Sequence, residues 1–396
     1  MSKQKKIITD YIILLTSSVA AILVGLVVYK IIQENLGSEA LNQLILIQRY
    51  SGFIVPLVMF GMGTIVPIEI SIAKESERAN ITKSAIIIII TTAAIVYIIL
   101  QMAEIFINTQ LLEGQKQVNQ LIIVSLALSF WSVVYATRRG DGTLSGIEKF
   151  NILIIMPLTL LIAQSSSNLD EYIYAYSVLN VVGAILMGMS KVRGRFTRFR
   201  KDIIQRGKNR VKVDVLFPLV TIVPIYWVST YDKDMAALLS FSISIAGAVN
   251  LLISPVSTLI LPMVSSNKKS NTKYSKIINW YIISIPVYLL INIPLVSIVS
   301  NIYSYKINAT VLVMACISAY FMGLYILLRS VIDGNFGEKV QTKIVGLALI
   351  VELLIILISR YFEIAKSTDI IIFSYLMGTG VLAVASYLKA KRNLLL

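Results

Sequence analysis

One arginine stands where hydrocarbon ordinarily tolerates none. Arg49 is the tenth residue of an apolar run over 40–66, with Asn42, Gln43, Gln48, Tyr50 and Ser51 close by in sequence. At about 1.5 Å per helical residue it lies within a bilayer core, on the outer-leaflet side of the middle. A central arginine there costs about 2.5–3.5 kcal/mol on insertion scales, so it has to face protein or a water-filled cavity. Its planar fork pairs bidentately with phosphate or carboxylate. Two readings follow. One is a cationic cavity site for a phosphate or an acidic sugar, with Gln48 and Asn42 as hydrogen-bonding neighbours. The other is a buried ion pair with a carboxylate on another helix.

The second group with chemical potential is Glu352, near the middle of an apolar run over 341–359, nine residues from Lys343 and eight from Arg360. It can serve as a protonatable coupling site, as the partner of Arg49, or as a structural acid. Asp10 and Glu69 are weaker coupling candidates, since both fall near the ends of apolar runs. Ser240, Ser244, Gly247, Asn250, Ser254 and Ser257 recur at steps of three or four, which is one helical face. Small polar residues in membranes pack helix against helix as readily as they bind ligand, so Ser244 and Asn250 are candidates for cavity lining.

Other chemistries are excluded by what is missing. The sequence has no histidine and a single cysteine, Cys316. That removes histidine triads, most zinc sites and an intramolecular disulfide. No phosphate-binding G-x-x-x-x-G-K-[ST] loop occurs, so ATP hydrolysis within the chain is not expected. No metal or cofactor is called for. The first apolar run, behind Lys3, Lys5 and Lys6, is too long for a signal h-region and lacks a convincing cleavage site.

The elements that must position these residues are membrane spans. Hydrophobic residues make up 57% of the 396 residues and charged ones only 14%, against about 25% charge in an ordinary soluble domain. Crossing about 30 Å of hydrocarbon takes about 20 helical residues. Twelve runs qualify, over 9–32, 40–66, 84–104, 118–138, 150–166, 172–190, 213–231, 235–262, 277–299, 308–328, 341–359 and 369–388. The fifth is cut short by Ser165, Ser166, Ser167 and Asn168. The second and eighth are longest and imply tilt or an extension. The fold class is therefore an all-α integral membrane protein.

Charge sets the orientation. Of the 36 lysines and arginines, six (Lys30, Lys116, Lys233, Lys306, Arg360 and Lys366) fall in or at the edge of one alternate set of gaps and Arg49 lies deep inside a run; the other 29 occupy the termini and the remaining gaps or their edges. By the positive-inside rule both termini and the basic gaps are cytoplasmic. The net charge of +15 sits in short loops beside apolar runs, so the expected counter-charge is anionic lipid rather than nucleic acid. Residues 191–212 carry ten basic residues and one acid, Asp202. They read as a cytoplasmic linker between a six-span lobe over 1–190 and another over 213–396. With six spans each, any repeat is parallel.

Several local marks now carry a resemblance. Leu36-Gly37-Ser38-Glu39-Ala40 precedes the second span, and Phe60-Gly61-Met62-Gly63-Thr64 with Pro67 follows it. Arg138-Arg139-Gly140 leads to Asn151-Ile152, Tyr231-Asp232-Lys233 follows the seventh span, and Pro262 ends the eighth. With twelve spans, the chain resembles the polysaccharide flippases of the O-antigen translocase (Wzx) type, within the superfamily that includes the MATE drug exporters. It departs from that pattern in Lys233, where arginine is usual, and in its shortness, which argues against the fourteen-helix lipid II flippases.

The resemblance implies two helical lobes around a central, often cationic cavity in the bacterial inner membrane. It implies transfer of an undecaprenyl-pyrophosphate-linked oligosaccharide from the cytoplasmic to the outer leaflet by alternating access. The partners implied are the polyprenyl-pyrophosphate-linked glycan, membrane lipid, and a polysaccharide polymerase with its assembly proteins. Two alternatives stay open: a cation-coupled drug exporter of the same fold, and a membrane polysaccharide polymerase or glycosyltransferase. The short outer gaps, nearly devoid of arginine, weigh against the last, and a non-enzyme is expected.

Overall fold

Hydrocarbon offers no partner to a backbone amide or carbonyl, so a spanning segment must satisfy its own ladder. The computed structural model describes residues 3–107, 115–192, 199–251, 253, 271–335, 338–361 and 368–394, and every regular element among them is helical. Many side-chain hydroxyls in these helices are satisfied locally. Thr91 donates to the Ile87 carbonyl at 2.9 Å, Ser129 to Ser125 at 2.7 Å, Ser177 to Ile173 at 2.8 Å and Ser300 to Val296 at 2.6 Å. The hydroxyls thus remain compatible with an apolar surrounding.

The chain divides into two units, Met1–Val215 and Leu216–Leu396. The first contains α1 (Lys3–Leu36), α2 (Ser38–Met59), α3 (Met62–Ile72), α4 (Glu75–Ile107), α5 (Gln115–Gly140), α6 (Leu144–Phe150), a π-helical turn (Asn151–Ile155), α7 (Met156–Ser165) and α8 (Leu169–Val192). Within it α5 is central, packing on α2, α3, α4 and α8, while α1 lies against α2, α6 and α7. α9 (Lys201–Ser229) begins in the first unit and ends in the second.

The second unit continues with α10 (Lys233–Ala248), α11 (Asn271–Ile283), α12 (Ile285–Ile302), α13 (Ala309–Asn335), α14 (Glu338–Tyr361) and α15 (Thr368–Leu394). Here α13 is central, against α10, α11, α12 and α15, and α14 packs on α15. In both units large apolar side chains also point outward, among them Leu23, Ile98, Leu161, Leu290, Leu354 and Leu388. A surface that is apolar on the outside as well as within is what lipid contact requires.

Ten helices among the described residues are long and apolar enough to cross a membrane, and eleven spans result when α2 and α3 are taken as one broken span. The remaining expected span, over 235–262, lies partly outside the described residues; its first part is α10. Four expectations change in detail. The second span is not one long tilted helix but two, bent by 45°. The break lies at Phe60 (φ 48°) and Gly61 (φ 77°), whose left-handed conformations end one helix and start the next. The fifth span starts earlier than expected, at Leu144, and runs through the π-helical turn to Ser165. The ninth is interrupted at Ser284, just before Pro286. The described part of the basic segment is not a loop: from Lys201 onward it is helix, continuous with the seventh span.

Candidate functional site

α2 carries the cation. Leu41, Leu44, Ile45, Tyr50, Ser51 and Ile54 are buried, while Asn42, Leu46, Arg49 and Phe53 are half-buried. The latter recur at intervals of three and four and share one face. Arg49 is eleven residues from the helix start at Ser38 and ten from its end at Met59, so it stands about midway along the helix, near the polar side chains Asn42, Gln43, Gln48 and Ser51. Next to it, the Gln48 carboxamide oxygen accepts a short hydrogen bond from the Tyr29 hydroxyl of α1, and the Ser51 hydroxyl donates to the Gln48 carbonyl at 2.9 Å. Gln48 is therefore held in place, and its amide nitrogen is the donor left by that bond. Asn42, Gln48 and Arg49 belong to one helix and one stretch of it. Together they offer amide and guanidinium donors suited to phosphate and sugar hydroxyls.

The second unit holds an acid without a polar partner. Glu352 of α14 is 0% exposed, and neither carboxyl oxygen has a hydrogen-bond partner among the described residues. It lies against α15 at Gly378, where an added Cβ would stand 3.5 Å from the carboxyl carbon and from Oε1, with Val220 of α9 at the same distance. The nearby α15 hydroxyls turn away: Ser374 donates to the Ile371 carbonyl at 2.7 Å and Thr379 to Tyr375 at 3.0 Å. The basic neighbours in sequence do not reach it either. Lys343 is exposed, and the Arg360 guanidinium stands 5.5 Å from the centre of the Trp227 ring. An ionised carboxylate left unpaired in such a place is heavily penalised.

The other candidates are placed differently. Glu69 of α3 is buried at 3% exposure and receives two guanidinium groups, Arg200 at 3.2 Å and Arg206 in a closer contact. Arg200 also binds Asp202 at 2.6 Å, and its backbone amide donates to Ser84 at 3.1 Å. Glu69 thus anchors the start of α9 to α3. Asp10 is half-buried on α1. The Ser244 hydroxyl donates to the Ser240 carbonyl at 2.7 Å. Asn250 is buried and donates to the Ala319 carbonyl of α13 at 2.9 Å, leaving its Oδ1 without a partner. Ser254 and Ser257, which continue that helical face in sequence, lie outside the described residues. Among the described residues no group of three His, Cys, Asp or Glu side chains could hold a metal ion.

Three features escaped the sequence. Tyr29 has no local mark in the sequence, although it fixes Gln48. Gly378 carries no signal until α15 is seen against Glu352. The buried Gln120, whose amide donates to Asp170, spans fifty positions and has no local mark.

No protein-family model matches the sequence, and no curated protein matches it. Solved structures do. The chain is similar to a MOP superfamily transporter from Pyrococcus furiosus, with a TM-score of 0.71 and 14% identity over 100% of this chain and 96% of that one. That structure is described as having a binding pocket of reverse polarity that suggests a different function. It is similar also to a MATE protein in complex with MaL6 (TM-score 0.70, 14% identity, 100% and 97% covered). A third likeness is to a multidrug resistance MATE transporter in its outward-facing conformation (TM-score 0.69, 13% identity, 100% and 96% covered). The chain has the all-helical fold of the MATE and MOP superfamily transporters.

Proposed function

We propose that this protein is a transporter that moves a polyprenyl-pyrophosphate-linked oligosaccharide from the cytoplasmic to the outer leaflet of a bacterial inner membrane by alternating access. The observation that carries this reading is Arg49, a half-buried guanidinium midway along α2, beside a fixed Gln48 and on one face with Asn42. A pyrophosphate bearing several sugars cannot enter hydrocarbon unaided. Arg49 pairs with a phosphate oxygen, and Gln48 and Asn42 serve sugar hydroxyls or the second phosphate. Asn250 keeps one unpartnered oxygen for a sugar hydroxyl in the second unit. The reverse-polarity pocket described for the structurally similar Pyrococcus furiosus protein, which suggests a different function there, supports more than one function on this fold.

In this reading both termini are cytoplasmic, as the charge alternation expects. Residues 1–190 and 213–396 form the two lobes, and a polymerase with its assembly proteins takes the product. Glu352 is the coupling group, sealed with its proton in one state and exposed to water in the other; Asp10 is a secondary candidate. Glu69 has a structural duty instead. The second reading, a cation-coupled exporter of small molecules, is favoured by the buried acid Glu352. Complementation separates the two. A strain lacking its own flippase should regain surface glycan, and a drug-sensitive exporter deletion should not regain resistance. Resistance without glycan would reverse the assignment.

A further inference from the structure

The first turns of α9 sort their basic residues by type. The arginines are engaged with protein: Arg200 and Arg206 with Glu69, and Arg210, buried at 3% exposure, with Asp214 at 3.2 Å. The helix is seated closely on the break between α2 and α3. A Cβ on Gly207 would stand 2.7 Å from the Phe60 carbonyl oxygen, and one on Gly61 3.0 Å from Cβ of Arg210. The lysines do the opposite. Lys201, Lys208 and Lys212 are exposed, and none is ion-paired among the described residues. Positions 201, 205, 208 and 212 recur at helical intervals, with Gln205 exposed and Ile204 39% exposed beside them.

We propose that this lysine face, held rigid by the arginines behind it, is a binding surface for anionic phospholipid headgroups. It stands independently of which cargo the protein carries. Immediately after Lys212 the helix turns apolar, through Val213, Val215, Leu216 and Phe217, and the one acid there, Asp214, is paired with Arg210. Lys212 therefore sits at the hydrocarbon edge. Lys208 is about 6 Å further along the axis and Lys201 about 16 Å. Headgroups occupy about 5–8 Å on each side of the hydrocarbon. Lys208 and Lys212 fall within that layer, whereas Lys201 reaches the headgroup charge only across a screened gap of about one Debye length. Lysine suits the task as a compact point charge that stays hydrated, and arginine suits the fixed carboxylate pairs behind it.

The test is local. Gln205→Cys in a Cys316→Ser background is labelled with bimane and the full chain reconstituted in phosphatidylethanolamine vesicles. Headgroup-spin-labelled phosphatidylglycerol or phosphatidylcholine is added at equal mole fraction. Quenching should favour phosphatidylglycerol about fivefold or more, since each lysine near an anionic surface contributes about that factor, and the preference should shrink in high salt. Lys208→Gln/Lys212→Gln should bring the two lipids to parity with the melting temperature unchanged, and Lys201→Gln should retain most of the preference. Parity in the parent protein, an unchanged preference in the double variant, or equal losses from Lys201→Gln alone would overturn the proposal. Stronger displacement by a polyprenyl pyrophosphate than by phosphatidylglycerol would likewise overturn it, in favour of a cargo-entry surface.

Discussion

A guanidinium midway along an apolar helix persists only where its surroundings compensate it. Arg49 lies on the half-buried face of α2, and its place within an apolar run was legible in the sequence. The support beside it was not, because the Tyr29–Gln48 bond joins two helices through residues nineteen positions apart. Glu352 was equally visible as an intramembrane acid, but its lack of polar partners depends on Gly378 and on hydroxyls that bond their own helix. Glu352→Gln keeps the shape and removes the titrating proton. We expect normal protein level and at least a tenfold loss of transport driven by an imposed proton gradient in vesicles; undiminished transport would remove Glu352 from coupling. Glu69 misled in the other direction. Its partners lie more than 130 positions away, beyond any sequence window, and they make it a tie. Glu69→Gln should destabilise the first unit by about 1–3 kcal/mol, toward the low end because Arg206 is largely exposed. A lowered melting temperature in detergent, with residual transport in the protein that survives, is the expected result.

At the scale of elements, several of the short marks that carried the family resemblance turn out to be junction residues, while Pro262 lies outside the described residues. Gly37 precedes α2 at φ 92° and Gly61 starts α3 at φ 77°. Gly140 lets the end of α5 approach α3, since a Cβ there would meet the Pro67 carbonyl at 2.8 Å. Asn151 opens the π-helical turn, and Asp232 caps α10 by accepting from the Met235 amide at 2.9 Å. Span positions were readable because hydrophobic length is a direct membrane requirement. Span interruptions were harder to read. Pro56 and Pro67 both sit inside intact helices, while the break falls between them at Phe60–Gly61. Two glycines separate backbone need from composition. Gly207→Ala should destabilise, because its Cβ would press on the Phe60 carbonyl at 2.7 Å, whereas Gly25→Ala meets nothing within 4 Å and should be neutral or stabilising. Thermal unfolding of the two variants side by side checks this; equal effects would mean that α9 does not seat on the break as described.

For the whole molecule, composition and charge alternation already pointed to an all-α membrane protein of many spans, and the likeness in fold to MATE and MOP structures extends over the full chain. Cargo is decided by few residues on a fold that serves several chemistries, which is why the fold was more legible than the substrate. The central claim is that Arg49 serves a lipid-linked glycan. The most direct measurement is the leaflet distribution of polyprenyl-pyrophosphate-linked glycan in a flippase-deletion strain carrying this protein or its Arg49 variants at equal membrane level. The account predicts outer-leaflet glycan with the parent protein, accumulation on the cytoplasmic leaflet with Arg49→Ala, and partial transfer with Arg49→Lys. Full transfer by well-expressed Arg49→Ala would contradict it.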